Sequence, residues 1–144
     1  MKVSLILKNK GSDKIATIAP DRPISDAVSQ MAELGIGALV VSSDQRNIGG
    51  ILSERDIVKR LAADGSGVLT SKVGDLMTAD VEACVADDTA INILERMTSG
   101  RFRHMPVVGA TGEMIGILSI GDVVKARLEE IESENAAMAD MLSS

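Results

Sequence analysis

Aromatic residues are almost absent from this chain of 144 residues, which has one phenylalanine, Phe102, and no tryptophan or tyrosine. Proteins that bind single-stranded nucleic acid stack the bases on aromatic side chains, and this chain has no such platform. The formal net charge of −6 also repels phosphate backbones in the averaged field. We therefore expect that nucleic acid is not a partner.

Cysteine occurs once, as Cys84, which excludes an internal disulfide and offers no metal-ligand spacing. Because Cys84 lies in an apolar stretch, we expect a buried rather than a reactive thiol. Long hydrophobic runs are also missing: a run such as Ala38 to Val41 is far shorter than the ~20 residues that cross a bilayer. No charged and then apolar leader opens the sequence. These absences predict a cytoplasmic protein with no membrane partner.

An internal repeat is the strongest pattern that is present. The motif Gly-Ile-Leu-Ser-Glu-Arg-Asp at 50–56 recurs as Gly-Ile-Leu-Ser-Ile-Gly-Asp at 116–122, an offset of 66 residues. The same offset, without a gap, also pairs apolar residues outside the motif. The first copy is predicted over 14–63 and the second over 80–128, with the Gly/Ser-rich stretch 64–67 as the linker.

Hydrophobic periodicity changes in the same order in both copies and predicts β-α-β-β-α for each. In the first copy the expected elements are a strand at 15–18, a helix with its apolar stripe from Ile24 to Leu34, strands at 38–41 and 48–52, and a helix from Ser53 whose buried stripe is Ile57, Val58 and Leu61. In the second copy they are a strand at 81–85, a helix at 89–99, strands at 104–108 and 114–118, and a helix from Ser119.

A unit of about fifty residues cannot cover both faces of a three-stranded sheet. The predicted fold class is therefore α/β (α+β), with the two units packed sheet to sheet in pseudo-two-fold symmetry. This arrangement would create related clefts where the sheets meet. The predicted domains are 1–66 and 67–130, followed by a C-terminal helical extension at 131–144.

The duplicated Gly-Ile-Leu-Ser-x-x-Asp motif and the order of elements resemble a tandem pair of cystathionine β-synthase (CBS) domains of the stand-alone bacterial type. Two further stretches, Arg-His-Met-Pro-Val-Val at 103–108 and Val-Gly-Asp-Leu-Met-Thr at 73–78, are similar to stretches common in bacterial members. The resemblance extends over nearly the whole chain.

The resemblance implies binding of an adenine nucleotide, AMP most readily, or else ATP, ADP or NAD(H), in the cleft between the units. The family's motif implies that Asp56 and Asp122 accept hydrogen bonds from ribose hydroxyls, that Ser53 and Ser119 lie at phosphate, and that the strand at Thr17 contacts the base. The predicted ligand-binding residues are Thr17, Ile18, Val40, Ser53, Arg55, Asp56, Arg101, Arg103, His104, Pro106, Ser119 and Asp122.

Each of these roles has a purely structural alternative. Ser-x-x-Asp is also an ordinary helix-capping pattern, and both roles can coexist. Phosphate requires positive charge, for which the candidates are Arg55, Arg101, Arg103 and Lys125, with His104 as a donor. The spacing of Arg101 and Arg103 allows both side chains to point toward one face. The alternative is that both are solvated charges at an edge. Adenine would lie against aliphatic residues such as Ile18, Val40 and Val107.

The copies differ where a ligand would bind. Ala-Leu-Val at 38–40 corresponds to His-Met-Pro at 104–106, and Arg55 corresponds to Gly121. The sequence therefore predicts two sites of different affinity.

The C-terminal segment carries apolar residues at heptad spacing. The stripe consists of Val124, Leu128, Ile131, Asn135, Met138 and Leu142, separated by four, three, four, three and four residues. Such a stripe predicts a homodimer, with Asn135 setting the register, or a fold-back onto the same chain.

No nucleophile elbow, phosphate-binding loop or metal-ligand cluster occurs, so we expect that the chain is not an enzyme and has no catalytic cofactor. The hypothesis is a regulatory module that changes conformation or assembly on binding nucleotide and is read by its dimer interface or by an effector protein. The alternatives are an NAD(H) sensor of the same fold and a dimerisation module without a small-molecule ligand.

Overall fold

A computed structural model describes residues 1–11 and 15–143, and the predicted start of the first repeat at residue 14 lies outside them, as does residue 144. The first repeat forms a three-stranded sheet in the order β1-β2-β3. Strand β1 is parallel to β2, with Thr17 opposite Val40, and β2 is antiparallel to β3. The elements are β1 (Thr17–Ile18), α2 (Ile24–Leu34), β2 (Ala38–Val41), β3 (Gly50–Ser53) and α3 (Glu54–Asp64), preceded in the chain by α1 (Val3–Lys10).

The second repeat has the same order of elements and a second three-stranded sheet, β4-β5-β6. Its strand β4 is parallel to β5, with Cys84 opposite Val107, as in the first repeat. The elements are β4 (Cys84–Val85), α5 (Ala90–Gly100), β5 (His104–Val108), β6 (Met114–Ser119) and α6 (Ile120–Ser143). The β-α-β-β-α order predicted for each repeat is confirmed, as is the mixed fold class with a C-terminal helix.

Local sequence explains where these helices end. Helix α2 stops at Gly35, whose φ of 65° lies in the left-handed region that glycine adopts without steric cost. The equivalent residue after α5 is Arg101, with a φ of 58°. Arg101 therefore ends α5 in the left-handed conformation.

Residues 64–67, predicted as a linker, consist of the last residue of α3 and the first three residues of a 3₁₀ helix at Gly65–Thr70. A short helix α4 follows at Val73–Leu76. Within the 3₁₀ helix Val68 is buried, and in α4 both Val73 and Leu76 are. These three side chains join the apolar core of the first repeat with residues such as Ile24 and Leu52. The connection between the repeats is therefore folded on the first repeat.

The N-terminal helix belongs to the core of the second repeat. Val3 and Ile6 pack with residues such as Cys84, Ile93 and Leu118. By its internal contacts the described chain forms one compact unit of 15–82 and 110–114 and another of 1–11, 83–109 and 115–143. The predicted domains 1–66 and 67–130 follow chain order, whereas the packing places α1 with the second repeat and α4 with the first.

Helix α3 departs from the burial pattern expected of it. Ile57 is buried, but Val58 is 63% and Leu61 42% exposed. The prediction of a three-residue buried stripe was wrong for Val58 and Leu61, because within their unit only the face that carries Ile57 packs into the core.

Helix α6 continues well past the core of the second repeat. Its buried residues, Val123 and Ala126, lie in its first two turns. Every residue from 131 to 143 is exposed. The apolar stripe predicted at heptad spacing is present on this helix, with Leu128 at 56% and Met138 at 61% exposed.

Candidate functional site

In the first repeat, strand β3 passes directly into α3 at the Ser-x-x-Asp motif. The Asp56 amide donates to Ser53 Oγ at 3.3 Å. In return, Asp56 Oδ2 accepts from the Ser53 amide and from Ser53 Oγ, each at 2.9 Å. This reciprocal capping box leaves a partly exposed carboxylate in the first turn of α3. The capping role that the sequence suggested is therefore real.

The second repeat builds the same helix start with one addition. The Asp122 amide donates to Ser119 Oγ at 3.1 Å, and Asp122 Oδ2 accepts from the Ser119 amide at 2.9 Å. The same oxygen also accepts from Lys10 Nζ of α1 at 3.0 Å. The two equivalent carboxylates consequently have different surroundings.

The pKa of Asp122 reflects these partners. Burial, the largest single influence, raises the pKa, but it is outweighed by the hydrogen bond from the Ser119 amide, by the ammonium of Lys10 and by the Ser119 hydroxyl. The pKa of Asp122 therefore lies below its ordinary value of 3.8. The carboxylate is charged at neutral pH.

A backbone hydrogen bond fixes each helix start to the residue that precedes the middle strand. The Glu54 amide donates to the Gly37 carbonyl at 2.9 Å, and the equivalent Ile120 amide donates to the Arg103 carbonyl at 2.8 Å. Free N–H groups in a first helical turn need acceptors, and this bond provides one in both repeats. Arg103 thus has a structural role through its backbone that the sequence did not reveal.

The basic residues predicted to bind phosphate differ in exposure and in their place in the fold. Arg55 is exposed and lines a shallow depression of about 330 Å³ on α3 with Glu54, Val58 and Lys59. Arg101, Arg103 and Lys125 are exposed, and His104 is half-buried at the start of β5. Of these, Arg55 lies beside one of the two acidic helix starts, one residue before Asp56.

The residues predicted to contact the base are less accessible. Val40 and Val107 are fully buried and Ile18 is 7% exposed, while Pro106, predicted as a ligand-binding residue, is buried in β5. Thr17 is half-buried, and its carbonyl accepts from Gln30 Nε2 at 3.0 Å. An equivalent bond joins Arg96 Nη2 to the Ala83 carbonyl at 2.7 Å. Thr17 is therefore the most accessible residue of this group, whereas Val40 is buried in the sheet.

Cys84 is 2% exposed, as the sequence predicted, and its thiol donates to the Pro106 carbonyl at 3.6 Å. Burial raises the pKa of Cys84 to about 11, so the thiolate is not accessible near neutral pH. In residues 1–11 and 15–143 no three histidine, cysteine or acidic side chains are grouped to hold a metal ion. Across the same residues, no helix has the length and apolar character required to span a membrane.

Comparison with known proteins supports the resemblance seen in the motifs. The family model described as CBS domain matches residues 11–63 and 73–129. A crystal structure of a CBS-domain-containing protein from Agrobacterium tumefaciens is 40% identical, with a TM-score of 0.83 over 88% of this chain and 92% of that one. A protein with CBS domains from Burkholderia ambifaria is 34% identical, also with a TM-score of 0.83, over 90% and 95% of the two chains.

A mitochondrial CBS-domain-containing protein from Arabidopsis thaliana is 34% identical over 139 residues, which is 92% of this chain and 67% of that protein. More distant structures share the fold and hold ligands. A CBS domain protein from Pyrobaculum aerophilum is complexed with AMP and is 22% identical, with a TM-score of 0.73 over 85% and 89% of the chains. Another CBS domain pair, 21% identical with a TM-score of 0.78 over 90% and 98% of the chains, is in complex with 5′-methylthioadenosine and S-adenosyl-L-methionine.

Proposed function

Because the chain belongs to the CBS-domain family and carries a pair of these domains, we propose that it is a non-catalytic regulatory protein that binds an adenine nucleotide of the AMP/ATP class. The observation that carries this proposal is the acidic helix start that both repeats build from Ser-x-x-Asp. Two distant members of the fold hold adenosine-containing ligands, including AMP. The cytoplasm is the proposed location.

The chemistry of the helix start in the first repeat suits a nucleoside phosphate. The carboxylate of Asp56 is an acceptor for ribose hydroxyls, and the positive end of the helix dipole in the first turn of α3 favours an anion. Arg55, the residue before Asp56 in α3, is exposed and supplies a guanidinium for phosphate. We propose that Asp56 and Ser53 bind the ribose end of the ligand and that Arg55 pairs with its phosphate.

The proposed mechanism is a shift in population. A ligand changes an equilibrium only through its differential affinity for two states. Binding at the helix starts would favour one conformation or assembly state, which an effector protein or a second subunit would read. NAD(H) contains the same adenosine unit and is the second candidate ligand.

Isothermal titration calorimetry of the whole protein with AMP, ADP, ATP, NAD⁺ and NADH tests this proposal. Asp56→Asn preserves the size of the side chain but removes the charge, and it should weaken binding at least tenfold. Asp75→Asn is the matched control, because Asp75 is an exposed acid in the first turn of α4 in the same unit. This control should bind like the wild type.

Ligand binding should also raise the unfolding temperature in differential scanning calorimetry. A nucleotide present at a hundredfold excess over its dissociation constant adds ~2.7 kcal/mol to the free energy of unfolding. Absence of heat and of stabilisation with all five nucleotides would contradict the proposal and favour a dimerisation module without a ligand.

We propose in addition that the chain forms a parallel homodimer through α6. Its stripe places Leu128, Asn135 and Leu142 at a positions and Val124, Ile131 and Met138 at d positions of a heptad. Asn at a favours a parallel pair in one register. In that register Arg127, at g, would face Glu132, at e, of a second copy, and this opposite-charge pair supports the choice of partner.

Light scattering after size-exclusion chromatography tests the dimer. Met138→Glu places a charge in the stripe and should convert the dimer to a monomer. Ala137→Glu adds the same charge to a neighbouring exposed position outside the stripe and should leave the dimer intact. Equal masses for the two variants, or a monomeric wild type, would refute this interface.

A further inference from the structure

Lys10, the last residue of α1, contacts the helix start of the second repeat. Its ammonium donates to Asp122 Oδ2 at 3.0 Å and to the Ile117 carbonyl at 2.9 Å. One side chain thus contacts both β6 and the first turn of α6. It is also partly withdrawn from solvent, with 33% of its side chain exposed against 24% for Asp122.

The position of Lys10 is set by a helix that is anchored along its length. Val3 is fully buried and Ile6 nearly so in the core of the second repeat. The Val3 amide donates to the Asp88 carbonyl at 2.8 Å. Leu7 packs over Gly116, so closely that a Cβ there would lie 2.7 Å from its Cδ2 atom. Because α1 is held at these points, the backbone of its last turn lies where the Lys10 side chain reaches Asp122.

Asp56, the equivalent carboxylate of the first repeat, has different partners. Within the part of the chain that the structure describes, no lysine or arginine forms an ion pair with Asp56. The Asp56 carboxylate accepts hydrogen bonds from the amide and the hydroxyl of Ser53. The two motifs are alike in sequence, but within residues 1–11 and 15–143 the carboxylate of Asp122 is paired with an ammonium and that of Asp56 is not.

We propose that Lys10 occupies the place of a ribose at Asp122, so that the chain binds one nucleotide, at Asp56, rather than two. A ribose hydroxyl carries no charge, so it would have to displace an ammonium that holds the carboxylate by both a hydrogen bond and an opposite charge. Displacement of Lys10 would also remove the hydrogen-bond donor of the Ile117 carbonyl. This inference rests on the proposed function, of which it specifies the stoichiometry and the selective site.

Calorimetric titration of the whole protein with AMP tests the inference through the number of ligands bound. The wild type should bind one AMP per chain, and Lys10→Met, which keeps the aliphatic stem, should bind two. Adding Asp122→Asn to Lys10→Met should return the number to one. Lys8→Met is the matched control: it removes the same charge from an exposed position in the last turn of α1 and should leave the number at one.

Circular dichroism of each variant verifies that the helices are intact before titration. Two AMP molecules per wild-type chain, with no change in Lys10→Met, would overturn the role of Lys10 and leave the proposed function standing. Weaker AMP binding in Lys10→Met would also overturn it, because Lys10 would then be a ligand contact. If AMP bound to none of the four proteins, the proposed function would fail first and this inference with it.

Discussion

Replacing Gly50 by alanine tests how tightly the first repeat holds the segment that leads into its helix start. A Cβ at Gly50 would lie 2.6 Å from the Thr78 carbonyl oxygen and 2.8 Å from Met77 Sδ. Thr78 and Ile51 exchange two backbone hydrogen bonds, at 3.0 and 2.9 Å. The new methyl group can therefore be accommodated only if this backbone bridge moves.

The second repeat provides the matched substitution, Gly116→Ala. Its Cβ would lie 2.7 Å from Cδ2 of Leu7, the far end of a flexible side chain that can rotate. Both glycines occupy the same place in the duplicated motif, so the entropic benefit of Gly→Ala in the unfolded chain, ~0.4–1 kcal/mol, applies to both and does not affect the difference.

The magnitudes follow from what has to move. Overpacking costs about 1–3 kcal/mol and a weakened backbone hydrogen bond about 1 kcal/mol more, so Gly50→Ala should lose roughly 2–4 kcal/mol. An off-rotamer Leu7 should cost about 0.5–1.5 kcal/mol in Gly116→Ala. We expect the first variant to be less stable than the second by ~1–3 kcal/mol.

Urea denaturation followed by circular dichroism measures this difference, since the chain has no tryptophan or tyrosine for fluorescence. With a slope of about 1–3 kcal/mol per molar urea, the two midpoints should differ by on the order of 1 M. Equal midpoints, or a lower midpoint for Gly116→Ala, would show that the Thr78 bridge yields more easily than a side chain and would refute the reasoning.

Three further predictions concern single side chains. Because the folded pKa of Asp122 lies below its unfolded value of 3.8, its charge stabilises the fold above that pH, and the contribution is lost as the pH falls through the folded pKa. The stability difference between wild type and Asp122→Asn in urea should therefore shrink below about pH 4, and a constant difference from pH 3 to 7 would contradict it. Cys84, with a pKa of about 11, should react with a disulfide reagent at pH 8 only when urea is added; fast labelling of the native protein would show an open site. Ser53→Ala should lose ~1 kcal/mol of unfolding free energy through the lost cap, whereas Ser43→Ala, in an exposed loop, should be neutral, and equal losses would argue against the capping box.

Some of the candidate site was predictable from the sequence, because short-range patterns determine it. A serine followed three residues later by an acid, directly after an apolar strand, caps a helix by local hydrogen bonds. For this reason the sequence alone identifies the helix caps formed by Ser53 with Asp56 and by Ser119 with Asp122. The presence of each motif twice at one offset also identified the repeat.

Side-chain burial was predicted less well, because periodicity shows which residues share a helix face but not which face is covered. The buried stripe predicted for α3 included Val58 and Leu61 with Ile57, yet these two side chains are exposed. Val40, expected beside a ligand, is fully buried. The fate of such residues depends on the elements that pack around them.

Sequence patterns alone were sufficient to predict the two β-α-β-β-α repeats, their acidic helix starts, the buried Cys84 and the heptad stripe of α6. Each of these depends on spacing within a few residues or on comparison of the copies. Only the tertiary structure placed α1 on the second repeat and brought Lys10 to Asp122, 112 residues away. A contact at that separation depends on how the chain packs, and for this reason two nearly identical motifs acquired different electrostatic surroundings.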